Sequence, residues 1–369
     1  MAVFFIMMLL VYLAGNIYVY VRGLQTLHFL PLWSKWLFSL FYWLVATSFV
    51  FVFLLRGAGI SIPLSRILFE IGTGWMVFIL YMVLLLGCFD LIRLFNRSVP
   101  NGFILSILLT LCILTYGYFR YQHPVTKVIN IVINKSLTDS ESSLKVVAIS
   151  DVHLGLGTGK SKLKKYVEMI NAQEPDLILI SGDLIDNSIV PVVNQQMQDE
   201  LSLLNARLGV YMALGNHEYI SGIEDCMQFL ALTPIQVLKD TVVTLPNGIQ
   251  LVGRNDRSIR SRKDPGRLFQ TIDAGLPVIV LDHQPVEINT MVEEGADLLI
   301  CGHTHNGQVW PLNWLTKWMF EISYGYEKRE QTHIYVTSGL SLWGPPFRIG
   351  TQSEMVVIQL KIGHSQNRP

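Results

Sequence analysis

Long apolar runs dominate the N-terminal third of the chain. Four such runs lie at residues 1–21, 36–55, 71–92 and 102–119. Each approaches the roughly 20 residues that a helix needs to cross about 30 Å of hydrocarbon. Prolines and arginines separate the runs, and tryptophan and tyrosine lie near their ends, as at a membrane interface. The pattern predicts a transmembrane region of four helices within residues 1–120, in which the first run is a retained anchor rather than a removable signal peptide.

The pattern changes after a polar connector at residues 121–144. Short β-branched runs now end abruptly at polar clusters, and they predict strands at residues 145–150, 177–181, 210–214, 250–253, 278–281, 298–301 and 334–337. Helical stretches are predicted between some of them, at residues 160–172 and 193–206. Apolar strands that alternate with helices indicate a sheet covered on both faces, so residues 145–369 are expected to form a layered α/β domain.

Composition excludes several classes of protein. Of the 369 residues 51% are hydrophobic and only 15% are charged, which rules out a disordered chain. Lys and Arg balance Asp and Glu at 28 each, and the part after Arg120 is slightly acidic, with 21 basic and 26 acidic residues. No nucleic-acid-binding surface is therefore indicated. The four cysteines are widely spaced without a C-x-x-C pair, so neither a disulfide framework nor a cysteine zinc site is expected.

Charge near the span ends does not decide the orientation in the membrane. One side would hold Arg56, Arg66, Arg120 and Lys127, and the other Arg22, Lys35, Arg93 and Arg97. Because the counts are level, the positive-inside rule gives no answer. We favour a multi-pass membrane protein with a cytoplasmic C-terminal domain, because the next charges, Lys135 and Lys145, fall on the domain's side. Glu70 and Asp90 lie near span ends and are interpreted as interfacial.

Five predicted strands end directly at residues that bind metal ions. The segments are Asp151-Val-His153, Gly182-Asp183, Gly215-Asn216-His217-Glu218, His283 and Gly302-His303-Thr304-His305. Residues i and i+2 of an extended segment point to one side, so each D-x-H or H-x-H pair can present two ligands together. Each segment alone is more often an ordinary polar loop, and the ordered set carries the interpretation.

The ligand types indicate which ions and which reaction to expect. Imidazole, carboxylate and one amide oxygen, without thiolate, suit Mn, Fe, Zn or Co. Seven candidate ligands are too many for one ion, so two divalent ions that share a carboxylate are expected. Such a pair activates a bridging hydroxide and orients a phosphoryl group, which predicts hydrolysis of a phosphoester.

The same segments, in the same order, resemble the motifs of the calcineurin-like metallophosphoesterases, from about Lys145 to Leu360. The resemblance implies a four-layer sandwich of two sheets flanked by helices. It also implies that Asp151, His153 and His305 hold one ion, that Asn216, His283 and His303 hold the other, and that Asp183 bridges the two. His217 would be a catalytic acid or transition-state stabiliser that binds no metal. Asp186, Glu218 and Asp282 are expected either to orient imidazoles or to be solvated loop residues.

A narrower resemblance concerns two C-terminal segments. Residues 302–308 and 338–350 look like the membrane-associated bacterial branch that includes the YkuE-, YaeI- and LpxG-like phosphoesterases. Within the second segment, Arg348 is a candidate for contact with a substrate phosphate, with a structural salt bridge as the alternative. The aromatic and basic segment 310–329 fits either a surface that enters a bilayer or accepts an acyl chain, or ordinary packing under a loop.

Three functions follow as hypotheses. The first is a membrane-anchored, binuclear metal-dependent phosphohydrolase that uses a metal-bridged hydroxide to cleave a phosphodiester or pyrophosphate bond. Its partners would be the bilayer and a phosphate-containing substrate, with a lipid-linked compound such as UDP-2,3-diacylglucosamine as one candidate. The second is a phosphoprotein phosphatase or general phosphodiesterase. The third is a membrane scaffold or sensor that keeps the fold without turnover, which a complete ligand set disfavours.

Overall fold

The computed structural model describes residues 2–54, 61–95, 99–138 and 143–363. Arg56 and Arg97 of the charge comparison, the end of the predicted second span, part of the connector and the last six residues lie outside these ranges. The chain forms two compact units. One comprises Met1–Gln122 and Gly344–Ile349, and the other comprises His123–Trp343 and Gly350–Pro369.

Four long helices confirm the prediction for the N-terminal region. They are α1 (Ala2–Thr26), α2 (Leu32–Leu54), α3 (Ile62–Leu94) and α4 (Gly102–Gln122). All four are long and apolar enough to cross a membrane. Helix α3 begins nine residues before the apolar run at residues 71–92 that predicted it. The run missed these first turns because they contain the charged pair Arg66–Glu70, whose Nε and Oε1 atoms lie 2.8 Å apart. Hydropathy alone excludes such a turn, although helix propensity accepts it.

Polar contacts connect the first three helices. Asn16 is buried, and its backbone carbonyl accepts a hydrogen bond from the Tyr42 hydroxyl at 2.8 Å. The Trp75 indole donates to Asn16 Oδ1 at 3.0 Å. Asp90 accepts from Arg22 at 2.8 Å and from the Tyr18 hydroxyl at 2.6 Å. Polar groups in a hydrocarbon environment require such partners, so these side chains hold the helices together.

The second unit contains two six-stranded sheets. The first has the order β1-β12-β2-β3-β4-β5, with β1 (Val125–Ile133), β2 (Ser143–Ile149), β3 (Leu177–Ser181), β4 (Val210–Ala213), β5 (Ile235–Leu238) and β12 (Glu354–Ile362). The second has the order β10-β11-β9-β8-β7-β6, with β6 (Thr241–Thr244), β7 (Gln250–Gly253), β8 (Val278–Leu281), β9 (Leu298–Cys301), β10 (Gly325–Arg329) and β11 (Thr332–Val336). Strands β2 to β5 run parallel to one another, as do β7, β8, β9 and β11.

The sheets pack face to face, and helices cover their outer faces. The helices of this unit are α5 (Lys160–Asn171), α6 (Val190–Asn194), α7 (Gln198–Leu201), α8 (Asn216–Ile220), α9 (Ile223–Leu230), α10 (Pro265–Phe269), α11 (Ile288–Glu293) and α12 (Leu312–Met319). In β2, Val146 and Ala148 enter the core between the sheets, whereas Val147 and Ile149 pack under the helices on the other face. This alternation is the two-residue period of a strand with both faces buried, and the expected four-layer fold is confirmed.

Two local expectations differ from the structure. The helix expected at residues 193–206 is divided into α6 and α7, because Gln196 adopts a left-handed backbone conformation (φ 51°) that a continuous helix cannot contain. Strand β1 lies within the segment interpreted as a connector, where it pairs in parallel with β12 at the edge of the first sheet. Edge position explains why β1 lacked the fully apolar pattern of the central strands: only its C-terminal part is buried.

Both sheets present their carboxyl strand ends at one edge of the sandwich. Ser181, the last residue of β3, donates from Oγ to the Ile300 carbonyl of β9 at 3.1 Å. The backbone carbonyl of Ser181 lies 2.8 Å from Nδ1 of His283, which comes just after β8. Loops that follow strands of either sheet therefore converge there, which is where ligands gather in open parallel sheets.

Candidate metal centre

Five of the predicted ligands hold the backbone in the left-handed region. The φ angles are 54° at Asp151, 48° at His153, 51° at Asp183, 70° at His303 and 48° at His305. Residues with a Cβ adopt this region at a cost, and they do so mainly at turns and functional sites. Each strand thus turns sharply as it ends, and the turn aims the side chain across the edge of the sandwich.

The first group of ligand atoms belongs to Asp151, His153 and His305, which lie within 4.8 Å of one another. Nε2 of His305 is 3.3 Å from Asp151 Oδ1 and 3.2 Å from Nε2 of His153. Two imidazole nitrogens bound to one ion at about 2.0–2.1 Å lie roughly 3.3 Å apart in a tetrahedral arrangement. The spacing of these nitrogens fits a shared cation.

The second group comprises Asp183, His283 and His303. Nε2 of His283 lies 3.0 Å from Asp183 Oδ2 and 3.2 Å from Nδ1 of His303. The other nitrogen of His283, Nδ1, lies 2.8 Å from the Ser181 carbonyl, to which it can only donate a hydrogen bond, so a neutral His283 ring carries its lone pair on Nε2. That tautomer is the one required for binding a cation through Nε2.

Asp183 lies between the two groups. Its Oδ2 atom, 3.0 Å from His283, is also 3.8 Å from Nε2 of His153 in the first group. Its other oxygen, Oδ1, accepts a hydrogen bond from the backbone N–H of His217 at 2.9 Å. Close approach requires a glycine opposite, since a Cβ on Gly215 would meet Asp183 Oδ1 at 2.1 Å. One carboxylate therefore faces imidazoles that come from both sheets.

Asn216 begins α8 immediately after Gly215. Its Oδ1 atom is buried and has no hydrogen-bond partner among the residues that the structure describes. Leaving a buried amide oxygen unpaired costs free energy, so such an atom calls for an explanation. A cation would satisfy it, in agreement with the donor type predicted for this position.

His217 and Asp186 form a contact beside the first group. Nδ1 of His217 lies 3.1 Å from Asp186 Oδ1, and Nδ1 of His153 lies 3.3 Å from the same oxygen, both at angles outside hydrogen-bond geometry. Burial by itself raises the pKa of Asp186, but the two imidazoles outweigh burial and lower that pKa to about 2. A charged Asp186 thus holds both rings by their Nδ1 sides and leaves Nε2 of each available for other partners.

Glu218 acts on backbone rather than on imidazoles. Its carboxylate accepts hydrogen bonds from the N–H groups of Gly215 at 2.8 Å, Asp183 at 3.1 Å and Ile185 at 3.0 Å. These bonds tie the loop after β3 to the loop after β4. Burial and the neighbouring charge of Asp183 raise the pKa of Glu218 to about 7.

Asp282 also has a role other than the imidazole partner considered from the sequence. Its carboxylate pairs with the guanidinium of Arg262, and both side chains are buried. The expectation of an imidazole contact therefore holds for Asp186 but not for Glu218, which binds backbone from within α8, or for Asp282, which follows β8 and pairs with Arg262.

The electrostatics of the centre indicate a deficit of positive charge. Asp151, Asp183 and Asp186 are all buried, and each has a carboxylate oxygen within 3.8 Å of a ring nitrogen of His153. Buried carboxylates require hydrogen bonds or positive charge, and three together need charge that protonated imidazoles or bound metal ions can supply. Burial raises the pKa of Asp183, but nearby imidazoles, His283 foremost, lower it well below its usual range. The donor set and its charge fit divalent cations.

Arg348 is the remaining candidate from the sequence. It belongs to the segment Gly344–Ile349, which forms part of the unit of four helices, and its backbone N–H donates to the Gly117 carbonyl of α4 at 2.9 Å. The Arg348 side chain is fully buried. A side chain that binds a substrate must be reachable from solvent, so this burial does not favour contact with a substrate phosphate, which stays a prediction from the sequence.

Two aromatic residues that the strand-end motifs could not identify border the centre. The Phe320 ring lies 5.8 Å from that of His303, edge to face, and the Trp343 ring lies 6.4 Å from that of His217. Phe320 belongs to the aromatic and basic segment 310–329, and Trp343 belongs to the segment 338–350 that carries the narrower resemblance. The sequence does not show which ring contacts which histidine. Such contacts depend on tertiary structure.

Comparison with known proteins agrees with this geometry. Residues 144–307, which include all seven candidate ligands, match the family model described as calcineurin-like phosphoesterase. A transmembrane protein with metallophosphoesterase domain from Danio rerio is 31% identical over 317 residues, covering 78% of this chain and 72% of that protein. An uncharacterized metallophosphoesterase of Campylobacter jejuni is 28% identical over 377 residues, covering 97% of this chain and 98% of that protein. UDP-2,3-diacylglucosamine pyrophosphatase LpxG of Chlamydia muridarum is 26% identical over 260 residues, covering 54% of this chain and 78% of that protein.

Proposed function

We propose that this chain, which belongs to the calcineurin-like metallophosphoesterases, cleaves a phosphodiester or pyrophosphate bond in a lipid-linked substrate. It is a metal-dependent phosphoester hydrolase with four helices long enough to span a membrane. The chemical class we assign is a diacylated sugar joined to a nucleotide through a pyrophosphate, as in UDP-2,3-diacylglucosamine. The name of the Chlamydia muridarum relative supports this class.

One observation carries the catalytic part of the proposal: Asp183 Oδ2 faces histidines of both ligand groups, His283 at 3.0 Å and His153 at 3.8 Å. A carboxylate in this position suits two cations that share it. We assign Asp151, His153 and His305 to one ion, and Asn216, His283 and His303 to the other, with Asp183 common to both. Thiolate is absent from this set, which favours Mn, Fe, Zn or Co.

The roles of the protein groups follow from the geometry. When bound, two divalent ions supply water activation near neutral pH and charge neutralisation on the phosphoryl oxygens. His217, held through Nδ1 by Asp186, keeps Nε2 available, and we assign it the delivery of a proton to the leaving oxygen. Glu218 fixes the loops that carry Asp183 and Asn216.

Apolar side chains near His217 support a substrate with acyl chains. Trp343 and Ile220 are exposed, and Ile220 ends the short helix α8 that contains His217. An exposed aromatic and an exposed aliphatic residue beside a polar centre suit a ligand with both characters. A chain anchored in a bilayer also meets lipid-linked substrates at high effective concentration.

The test uses the purified full-length chain in detergent with Mn²⁺. We expect hydrolysis of UDP-2,3-diacylglucosamine to exceed that of its deacylated analogue by at least an order of magnitude in kcat/KM. Bis-p-nitrophenyl phosphate should also be hydrolysed. Equal rates for the acylated and deacylated compounds would contradict the lipid-linked substrate and leave a general phosphodiesterase. Failure to hydrolyse any of the three would contradict the catalytic assignment.

We further propose that the catalytic domain faces the cytoplasm. Lys135 and Lys145 near its start support this side, and all four cysteines are free thiols, which suits a reducing compartment. A single introduced cysteine at Asp199, an exposed position of α7, should resist a membrane-impermeant maleimide in intact cells and react after lysis. Labelling in intact cells would reverse the orientation.

A further inference from the structure

Helix α12 has the reverse of the usual amphipathic arrangement. Apart from Lys317, the exposed side chains of this helix are apolar, and they are those of Leu312, Trp314, Leu315, Trp318 and Met319. Trp318 is 80% exposed and Trp314 is 62% exposed. At 100° per residue these five positions occupy one half of the helix circumference. Surface helices of globular proteins place that half against the core, and α12 contains no buried residue.

Polar residues of α12 face the domain instead. Asn313 and Thr316 are only partly exposed, and Thr316 Oγ1 donates to the Asn313 carbonyl at 3.1 Å. The backbone at Asn313 packs closely against Gly307. A Cβ atom on Gly307 would lie 2.3 Å from the Asn313 backbone nitrogen. The helix is therefore fixed to the loop that carries His305, with its apolar half directed away.

Exposed apolar area of this kind is unfavourable in water and marks a surface that a partner covers. Three observations identify the partner as a bilayer. The same chain carries four helices of membrane-spanning length, which supply a bilayer at high effective concentration. Tryptophan, which contributes two of the five apolar side chains, is the residue enriched at headgroup level. Lys317 is exposed at the border of the apolar half, next to Trp314, where its charge would complement anionic headgroups.

We propose that α12 is a membrane-docking helix that lies in the interfacial layer with Trp314 and Trp318 among the headgroups and upper acyl chains. The structure connects this surface to the metal centre. Phe320, the residue directly after α12, has its ring 5.8 Å from that of His303, and Gly307 belongs to the turn that contains His305. Docking would thus hold the mouth of the centre at the level where a lipid-linked phosphate resides. This last consequence rests on the proposed function, whereas the docking itself does not.

Depth measurement tests the docking without reference to activity. The full-length chain, with Cys88→Ser and Cys112→Ser to remove the exposed thiols, receives a nitroxide at Trp318→Cys or Trp314→Cys and is placed in nanodiscs that contain anionic lipid. Leu232→Cys, at an exposed apolar position after α9, is the matched control. For each nitroxide we compare its collision rate with oxygen, which enters the bilayer, and its collision rate with a polar nickel complex, which does not. We expect the ratio of the first rate to the second to be several times higher at positions 314 and 318 than at position 232.

Two results would overturn the proposal. Equal access of the nickel complex at 318 and 232 would show that α12 stays in water. Low access of both oxygen and the nickel complex would show that protein, such as a second copy of the chain, covers the helix. Hydrolysis of bis-p-nitrophenyl phosphate by each labelled variant verifies that it is folded.

Activity then tests the consequence. The double variant Trp314→Ser/Trp318→Ser should lose roughly tenfold or more of its rate on bilayer-embedded substrate and keep its rate on bis-p-nitrophenyl phosphate, with Leu232→Ser unchanged on both. If the depth measurement supports docking while both substrates respond equally, docking stands and the lipid-linked substrate is contradicted. If depth shows no insertion, docking itself fails.

Discussion

Asp183 Oδ2 lies 3.0 Å from Nε2 of His283, and these two residues come from different sheets of the sandwich. Asp183 follows β3 of the first sheet, and His283 follows β8 of the second. Their contact shows that the centre belongs to the interface between the sheets rather than to either one. Any change in the packing of the sheets therefore alters the distance between ligands, which links the integrity of the core to catalysis.

Asp183→Ala tests the shared carboxylate. Loss of the carboxylate that faces both groups should lower the metal content of the purified protein and reduce kcat/KM on bis-p-nitrophenyl phosphate by about 10³-fold or more. Metal analysis by mass spectrometry and steady-state kinetics measure the two effects. Asp199→Ala, which removes an exposed carboxylate paired with Lys160, is the control and should behave as wild type. Full metal content with full turnover in Asp183→Ala would reject the assignment.

His217→Gln tests proton delivery. The variant should retain its metal content and lose about 10²- to 10⁴-fold in kcat with an alkyl leaving group, which needs a proton as it departs. A p-nitrophenyl leaving group needs little such help, so its rate should fall much less. Asp186→Asn should show the same dependence on the leaving group more weakly, together with some loss of metal affinity, because Asp186 contacts the imidazole of the assigned ligand His153 as well as that of His217. An equal loss with both leaving groups would indicate a structural role for His217.

Glu218→Gln tests the connection between two loops. The amide places an N–H₂ group where a carboxylate oxygen now accepts backbone N–H groups, so one or more of those donors loses its partner. We expect a loss of about 1–3 kcal/mol in stability and a higher Mn²⁺ concentration for half-maximal activity. Thermal unfolding and metal titration measure these effects. Glu224→Gln, at an exposed position of α9, should change neither.

His333 predicts a pH dependence of stability. Burial lowers the pKa of His333, whose Nδ1 lies 2.8 Å from the Tyr326 hydroxyl and whose Nε2 lies 3.2 Å from the Val132 carbonyl. A folded-state pKa below the unfolded value of about 6.5 means that the unfolded chain binds more protons as the pH falls through that value. Stability should therefore decrease below about pH 6.5.

The measurement compares the melting temperature of wild type and His333→Gln between pH 7.5 and 5.5. Glutamine can also accept and donate a hydrogen bond but does not titrate, so its melting temperature should fall less over this range. Metal release affects both proteins alike, and the difference between them isolates His333. A parallel decline in both would remove His333 as the cause.

The strand ends could be predicted because their signal is local. An apolar run that stops at Asp151, Asp183 or His303 is visible in a few consecutive residues, and the order of such segments carries the family resemblance. The break at Gln196 was not visible, since a left-handed glutamine leaves no mark in composition. Strand β1 was not predicted from the sequence, because an edge strand is only partly buried and needs no continuous apolar run.

By itself the sequence determined the number of long apolar helices, the layered α/β class and the chemical identity of the candidate ligands, because hydrophobic period and donor type are properties of short stretches. Tertiary structure alone decided that Asp186 contacts His217 and His153 whereas Asp282 contacts Arg262, that Glu218 binds backbone, and that the apolar half of α12 faces outward. These relationships join residues that are distant along the chain or depend on which face meets the core, and only the packed chain fixes either.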